Sequence, residues 1–163
     1  GGYIMRAWYD ITASNIAAQQ DVRGIRASQA AIEMLIAQEK QRGIAADNIF
    51  LAGFSQGGAI ALHTGLRHAS RLGGIISLSA YLLQAETLSS EASAAGLNTP
   101  IFMAHGHSDT VVPYMRGKDA ADELKNRGYQ VEWHEYGMPH SVCAEEVRDI
   151  QTWLTRKLNL ESL

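Results

Sequence analysis

Apolar positions along the chain change period several times, and each change marks an element. Over residues 21–42, Ile25, Ser28, Ile32, Leu35 and Ile36 fall on one helical face, and Asp21 is placed to cap the start. Lys40 and Arg42 suit the end of that helix, and Gly43 stops it. Residues 49–54 form a short unbroken apolar run, as a buried strand does, and a helix is predicted over 57–68. Gly73 and Gly74 precede a second apolar run at 75–79, and Pro100 opens a third at 101–105. A helix over 114–127 ends at Gly128. In 131–136, Val131 and Trp133 alternate with Glu132 and His134, the pattern of a half-exposed edge strand. The last helix, 143–158, carries Val147, Ile150, Leu154 and Leu158 as its stripe, with Glu145 and Glu146 in its first turn and Arg156 and Lys157 in its last. Residues 86–98, rich in Ser and Ala, read as a loop with room for a short helix. Strands alternating with helices predict an α/β fold, a mostly parallel sheet flanked by helices, in a single domain over 1–163.

Composition narrows the function classes. Among 163 residues, 46% are hydrophobic and 19% charged, which is ordinary for a folded domain. The formal net charge of −3 leaves no basic footprint, so neither a nucleic acid nor an anionic membrane is expected as a partner. One cysteine, Cys143, can make neither an internal disulfide nor by itself a cysteine zinc site. No run is apolar enough to span a bilayer; the best, 75–83, is interrupted by Ser77 and Ser79. The chain opens Gly-Gly-Tyr rather than Met and shows no signal segment, which predicts a cytoplasmic protein whose N-terminal region has been removed or whose sequence here begins mid-protein.

Between the first strand and its helix lies Gly53-Phe54-Ser55-Gln56-Gly57, a G-x-S-x-G pattern. A chain of this composition would show about 0.1 such matches by chance, so the strand-to-helix setting adds most of the specificity. A serine nucleophile must stand clear of the sheet on a tight turn, where a Cβ at position 53 or 57 is expected to meet neighbouring backbone. The helix that follows aims its free N–H groups at the reacting carbonyl, with the Gln56 amide as oxyanion donor. The serine needs a base and the base an orienter, in the chain order Ser, acid, His. Asp109 is the only carboxylate on the loop after the third strand, and His140 lies between the last strand and the last helix.

Other polar residues have plainer readings. His105 at a strand end reads as a hydrogen-bonded structural histidine, and His107 lies on the wrong loop for the base. His63 reads as a core histidine, His68 as surface, His134 as a solvated edge residue, and Asp119 and Asp122 as the wet face of a helix. The cluster His105, His107 and Asp109 is a weak metal site, with no distant ligand to complete it, so neither a metal nor a cofactor is expected. Cys143 lacks any elbow and reads as a small helix-start residue. Tyr81, Leu82 and Leu83 after the second strand, and Val111, Val112 and Met138 beside the acid and base, are candidate acyl-pocket walls, with Tyr81, Leu82, Val112 and Met138 taken as substrate-binding. Core packing explains each of them equally well. Apolar walls with few charges would suit a short or medium acyl chain.

Three separated blocks carry a resemblance: GFSQGGA at 53–59, HGHSDTVVP at 105–113, and W-x-x-Y-x-M-x-HSVC-x-x-E at 133–146. With the Trp8-Tyr9-Asp10 segment they resemble the bacterial carboxylesterase and acyl-protein thioesterase/lysophospholipase family over residues 3–158. The resemblance implies an α/β-hydrolase fold and cofactor-free hydrolysis of esters and thioesters, with Ser55 as nucleophile, Asp109 as acid and His140 as base. It also implies some fifty residues ahead of this start, holding the first strands and a loop that donates a second oxyanion amide. The expectation is therefore a fold truncated at its N-terminus, with one oxyanion donor, and a strand at 49–54 that lost a neighbour. That strand would need cover from a second copy or a swapped partner, from a rearranged N-terminal segment, or from a further region of the protein. Two functions follow: a serine esterase or thioesterase acting on a small-molecule substrate, or an impaired hydrolase serving as an interaction module. In the first, activity should rise with pH through the ordinary imidazole range, near pH 6.5.

Overall fold

The computed structural model describes residues 6–11 and 20–159; the opening Gly-Gly-Tyr and the start of the resemblance at residue 3 lie outside them. Four strands form one parallel sheet in sequence order: β1 (Phe50–Phe54), β2 (Gly74–Leu78), β3 (Ile101–Gly106) and β4 (Val131–Tyr136). Helices α1 (Val22–Gln41), α2 (Gln56–Arg67), α3 (Ala85–Glu91), α4 (Tyr114–Asn126) and α5 (Ala144–Lys157) surround it. Asp21 caps α1 by accepting from the Gly24 N–H at 2.9 Å.

The register explains the two cores. Ile75 pairs with Ile101, and Ile76 with Phe102. Successive side chains point to opposite faces, so each strand feeds both. On one face Ile75, Ile101 and Met103 pack with Leu62 and Leu66 of α2, Leu88 of α3 and Leu124 of α4. On the other, Ile76, Leu78, Phe102 and Ala104 pack with Trp153 of α5. A third cluster at the carboxyl end of the sheet joins Tyr9, Ile25 of α1, Ala59 and Ile60 of α2, Tyr81, Leu83 and Val112. Replacing a fully buried core residue such as Trp153 by alanine costs about 3–5 kcal/mol.

Two helix expectations are corrected. Leu35 is 55% exposed, because at about 100° per residue it stands about 80° round from Ile25, at the margin of the buried stripe. On α5 the buried positions are Glu146 and Trp153, while Val147 and Leu158 are exposed. The 86–98 stretch holds most of α3 and a 3-10 turn, Gly96–Asn98, anchored by the buried Leu88 and by an Arg67–Glu91 ion pair at 2.7 Å. β1 lies at one edge of the sheet, and among the described residues no strand pairs with its outer side. The run at 49–54, expected as a buried strand, is instead an edge strand with Ala52 and Phe54 exposed, because among the described residues only β2 pairs with it. No helix among the described residues is long and apolar enough to cross a membrane.

Candidate active site

Ser55 sits where β1 turns into α2, with φ 55° and ψ −122°. Positive φ is costly for a residue with a Cβ, and the turn holds it through the Ser55 N–H, which donates to the Leu78 carbonyl at 2.9 Å. Glycine is needed at 53 because a Cβ there would overlap the Gly57 carbonyl group. The second tight position is not 57, where a Cβ would make only ordinary contact at 3.5 Å with the Trp8 indole nitrogen. It is Gly58, which lies against the Gly53 carbonyl oxygen, Ala80 and the Leu78 nitrogen.

The structure brings Ser55, His140 and Asp109 together. The His140 Nε2 is 3.0 Å from the Ser55 Oγ, and its Nδ1 is 2.7 Å from the Asp109 Oδ2. A carboxylate only accepts, so Nδ1 carries the proton and Nε2 is free to accept from the serine hydroxyl. The Asp109 side chain is fully buried, and its Oδ1 accepts the N–H groups of Val111 and Val112, both at 2.9 Å. Loop contacts between the acid and base segments fix the pair: the His107 N–H donates to the Tyr136 carbonyl at 2.9 Å and the Ser108 N–H to the Met138 carbonyl at 3.1 Å. Phe54 packs its ring 4.6 Å from the imidazole of His140.

Gln56 opens α2 directly after Ser55, where the first N–H groups of a helix lack intrahelical partners. Its side chain does something the sequence did not reveal. It accepts the Trp8 N–H at 3.2 Å and donates to the Tyr9 carbonyl at 3.1 Å, clasping the 8–9 backbone beside the elbow. Ser28 of α1 donates to the Trp8 carbonyl, and the Tyr9 and Tyr81 hydroxyls meet at 2.7 Å. Burial, aided by this pairing, raises the Tyr9 hydroxyl above the usual phenol range, so it stays protonated. The resemblance at Trp8-Tyr9-Asp10 was the one sequence signal for this contact.

The candidate pocket divides. Tyr81 and Leu82 line a cavity of about 480 Å³ with Ala85, Arg116, Asp119 and Glu123. No member of the Ser55–His140–Asp109 group lines it, and its charged residues depart from the expected apolar wall. Val112 and Met138 are buried in separate core clusters, so packing describes them best. Val111 is 59% exposed on the acid loop.

The other histidines also find their places. His63 faces α1, with Nε2 3.2 Å from the Gln29 Oε1, and burial next to Arg67 lowers it to about 4. His68 is buried rather than at the surface, 2.7 Å from Glu33. His134 is half-buried, stacked on Phe102 at 4.5 Å, with Glu132 at 3.0 Å. His107 turns to Glu135 at 3.4 Å, away from Asp109's partners. Cys143 caps α5 by accepting the Glu146 N–H at 3.4 Å. Among the described residues no group of three or more His, Cys, Asp or Glu could hold a metal ion.

A profile of the Phospholipase/Carboxylesterase family matches residues 1–158. The chain belongs to the Phospholipase/Carboxylesterase family. Acyl-protein thioesterase 1 of Neurospora crassa is 44% identical to it over 165 residues, 96% of this chain and 67% of that protein. Acyl-protein thioesterase 1 of Gibberella zeae is 40% identical, over 96% of this chain and 70% of that protein. The crystal structure of Arabidopsis thaliana SOBER1 superposes with a TM-score of 0.89 at 30% identity, over 96% of this chain and 76% of that one. Fungal and plant members of the Phospholipase/Carboxylesterase family therefore match over nearly the whole of this chain, and the expected restriction to bacteria is dropped. The fold is α/β-hydrolase-like, with a parallel sheet flanked by helices. The match gives the expected loss of first strands no direct support. Membership of the Phospholipase/Carboxylesterase family makes this chain a hydrolase of the esterase and thioesterase type.

Proposed function

We propose that the chain hydrolyses carboxylic esters or thioesters of short-to-medium acyl chains through an acyl-enzyme on Ser55. The observation that carries the reading is the continuous Ser55–His140–Asp109 hydrogen-bond chain at 3.0 and 2.7 Å, at the carboxyl end of the sheet. The Ser55 Oγ attacks the acyl carbonyl as the His140 Nε2 takes its proton. Asp109, held by two backbone N–H groups, keeps Nδ1 protonated and stabilises the imidazolium. The Gln56 amide, at the first turn of α2, meets the developing oxyanion. His140 then protonates the leaving alcohol or thiol, and in the second half it activates water against the acyl-serine. Relatives named acyl-protein thioesterase support a thioester among the substrates.

The test is turnover of p-nitrophenyl esters from acetate to octanoate, and of the matching thioesters, by the chain and by Ser55→Ala. Turnover lost in Ser55→Ala supports the reading. Turnover that survives the substitution contradicts it. Stoichiometric acylation without release would favour the rival function, an impaired hydrolase acting as an interaction module.

A further inference from the structure

His105 is the penultimate residue of β3, and its side chain is fully buried. Its Nε2 lies 2.9 Å from the Val112 carbonyl oxygen. A carbonyl only accepts, so Nε2 carries the proton and the imidazole is the donor. The same nitrogen lies 3.3 Å from the Asp109 Oδ2, the oxygen that holds His140 at 2.7 Å. Two histidines thus converge on one carboxylate oxygen, while the other takes the Val111 and Val112 N–H groups. The Val112 bond closes the acid loop on itself, from the end of β3 across seven residues, with Asp109 inside. Space for the ring is cut into α4: a Cβ on Gly117 would overlap the His105 imidazole. Tyr114 meets the ring edge-on at 6.1 Å, and Trp133 lies over it at 6.4 Å. The His105 Nδ1 is buried without a hydrogen-bond partner. Packing alone would be met by an apolar side chain there. A buried polar ring with one nitrogen left unsatisfied indicates that the other nitrogen is what the site requires.

We infer that His105 is a positioning residue for the triad: its Nε2–H, bonded to the Val112 carbonyl with the Asp109 Oδ2 3.3 Å away, closes the loop that fixes the carboxylate orienting His140. The inference rests on the triad reading above. His105 cannot touch substrate, so its loss should reach the reaction only through Asp109. Misplacing a catalytic group by about 1 Å costs on the order of 100-fold in rate. Removing the donor should therefore lower kcat about 10- to 100-fold and leave KM within about threefold.

His105→Gln and His105→Met decide the matter. The two side chains have similar size, but only glutamine can return an N–H near the Nε2 position. Steady-state kcat and KM on a p-nitrophenyl ester and the rate of fluorophosphonate labelling are measured well below each variant's melting temperature, beside the unsubstituted chain and Ser55→Ala. The expected result is that the Met variant loses at least tenfold in kcat and labelling rate at near-constant KM, and that the Gln variant recovers most of it. If the Met variant does not fold, His105→Asn, whose N–H falls at the Nδ1 position, takes its place with the same expectation. Equal kcat in the donor and non-donor variants overturns the inference, as does a loss confined to KM. If Ser55 of the unsubstituted chain is not labelled at all, the triad reading itself fails and the inference falls with it. Labelling of Ser55 with donor and non-donor variants alike sinks only the role of His105.

Discussion

The two edge strands of the sheet lead to two members of the Ser55–His140–Asp109 group, β1 to Ser55 and β4 to His140, and their chemistry differs. β4 is protected by charge. Glu132 pairs with Arg156 at 2.9 Å and with His134 at 3.0 Å, and His134 stacks on Phe102. Burial works against the ionised Glu132, but the bonds from His134 and Arg156 outweigh it and lower its carboxyl below the usual range. Glu135 accepts from Tyr114 and Trp133, which pull it down to about 2. β1, Phe-Leu-Ala-Gly-Phe, has no charged residue, and Ala52 and Phe54 are exposed. An apolar strand edge without charge is prone to pairing with other chains. His140 therefore follows a strand edge protected by charge, and Ser55 one that carries no charge.

The largest effect should come from the β1 side of the site. Ser55→Ala should lower esterase turnover by about 10⁴- to 10⁶-fold with the melting temperature little changed, read by steady-state kinetics and calorimetry. Asp109→Asn, on the acid loop beside β4, should cost about 10⁴-fold by leaving His140 in the wrong tautomer. A loss below tenfold for either would separate the geometry from the chemistry.

Gly53→Ala should destabilise by about 3 kcal/mol or more, because the new methyl would overlap the Gly57 carbonyl group. The check is a urea titration. An unchanged midpoint would mean that the elbow can open without cost.

Behind the β4 side lies Glu146, in the first turn of α5. It is fully buried, and neither carboxylate oxygen has a hydrogen-bond partner. Burial raises its carboxyl from 4.5 to about 7. Between those values the folded chain holds a proton that the unfolded chain releases. Stability from this group is thus greatest below about pH 4.5, falls as pH rises through about 7, and is level above it. Glu146→Gln should stabilise the chain by about 1–3 kcal/mol at pH 8 and by little at pH 5, measured by denaturant unfolding at both pH values. Equal effects at the two would show that the carboxylate is solvated.

The smallest effect is expected at the β1 edge. Ala52→Lys should change stability by less than about 0.5 kcal/mol and reduce any concentration-dependent association seen by light scattering. A large loss of stability would show that the edge is packed rather than open.

Much of this was legible in the sequence, for identifiable reasons. Unbroken apolar runs marked β2 and β3 because strands buried on both faces need no alternation, and the alternating β4 marked an edge; the same kind of run marked β1 as a strand but not as the exposed edge it is. The order Ser55, Asp109, His140 was readable because each follows a strand at the same end of the sheet. What escaped depends on contacts between distant residues. Glu146 read as a helix-dipole acid because its burial is a tertiary event. His105 read as merely structural because its relation to Asp109 exists only once the loop closes on Val112. Gln56 read only through its amide, since its side-chain partners lie 47 and 48 residues away. Gly58, not Gly57, proved the tight glycine because the packing of α2 on β2 decides it.

The most direct test of the central claim is the rate at which a fluorophosphonate modifies Ser55, read by peptide mass spectrometry in the unsubstituted chain, His140→Ala and Asp109→Asn. The account predicts a single adduct on the peptide bearing Ser55, formed at least about 10³-fold more slowly in both variants. An adduct on another residue, or equal rates in all three chains, would contradict it.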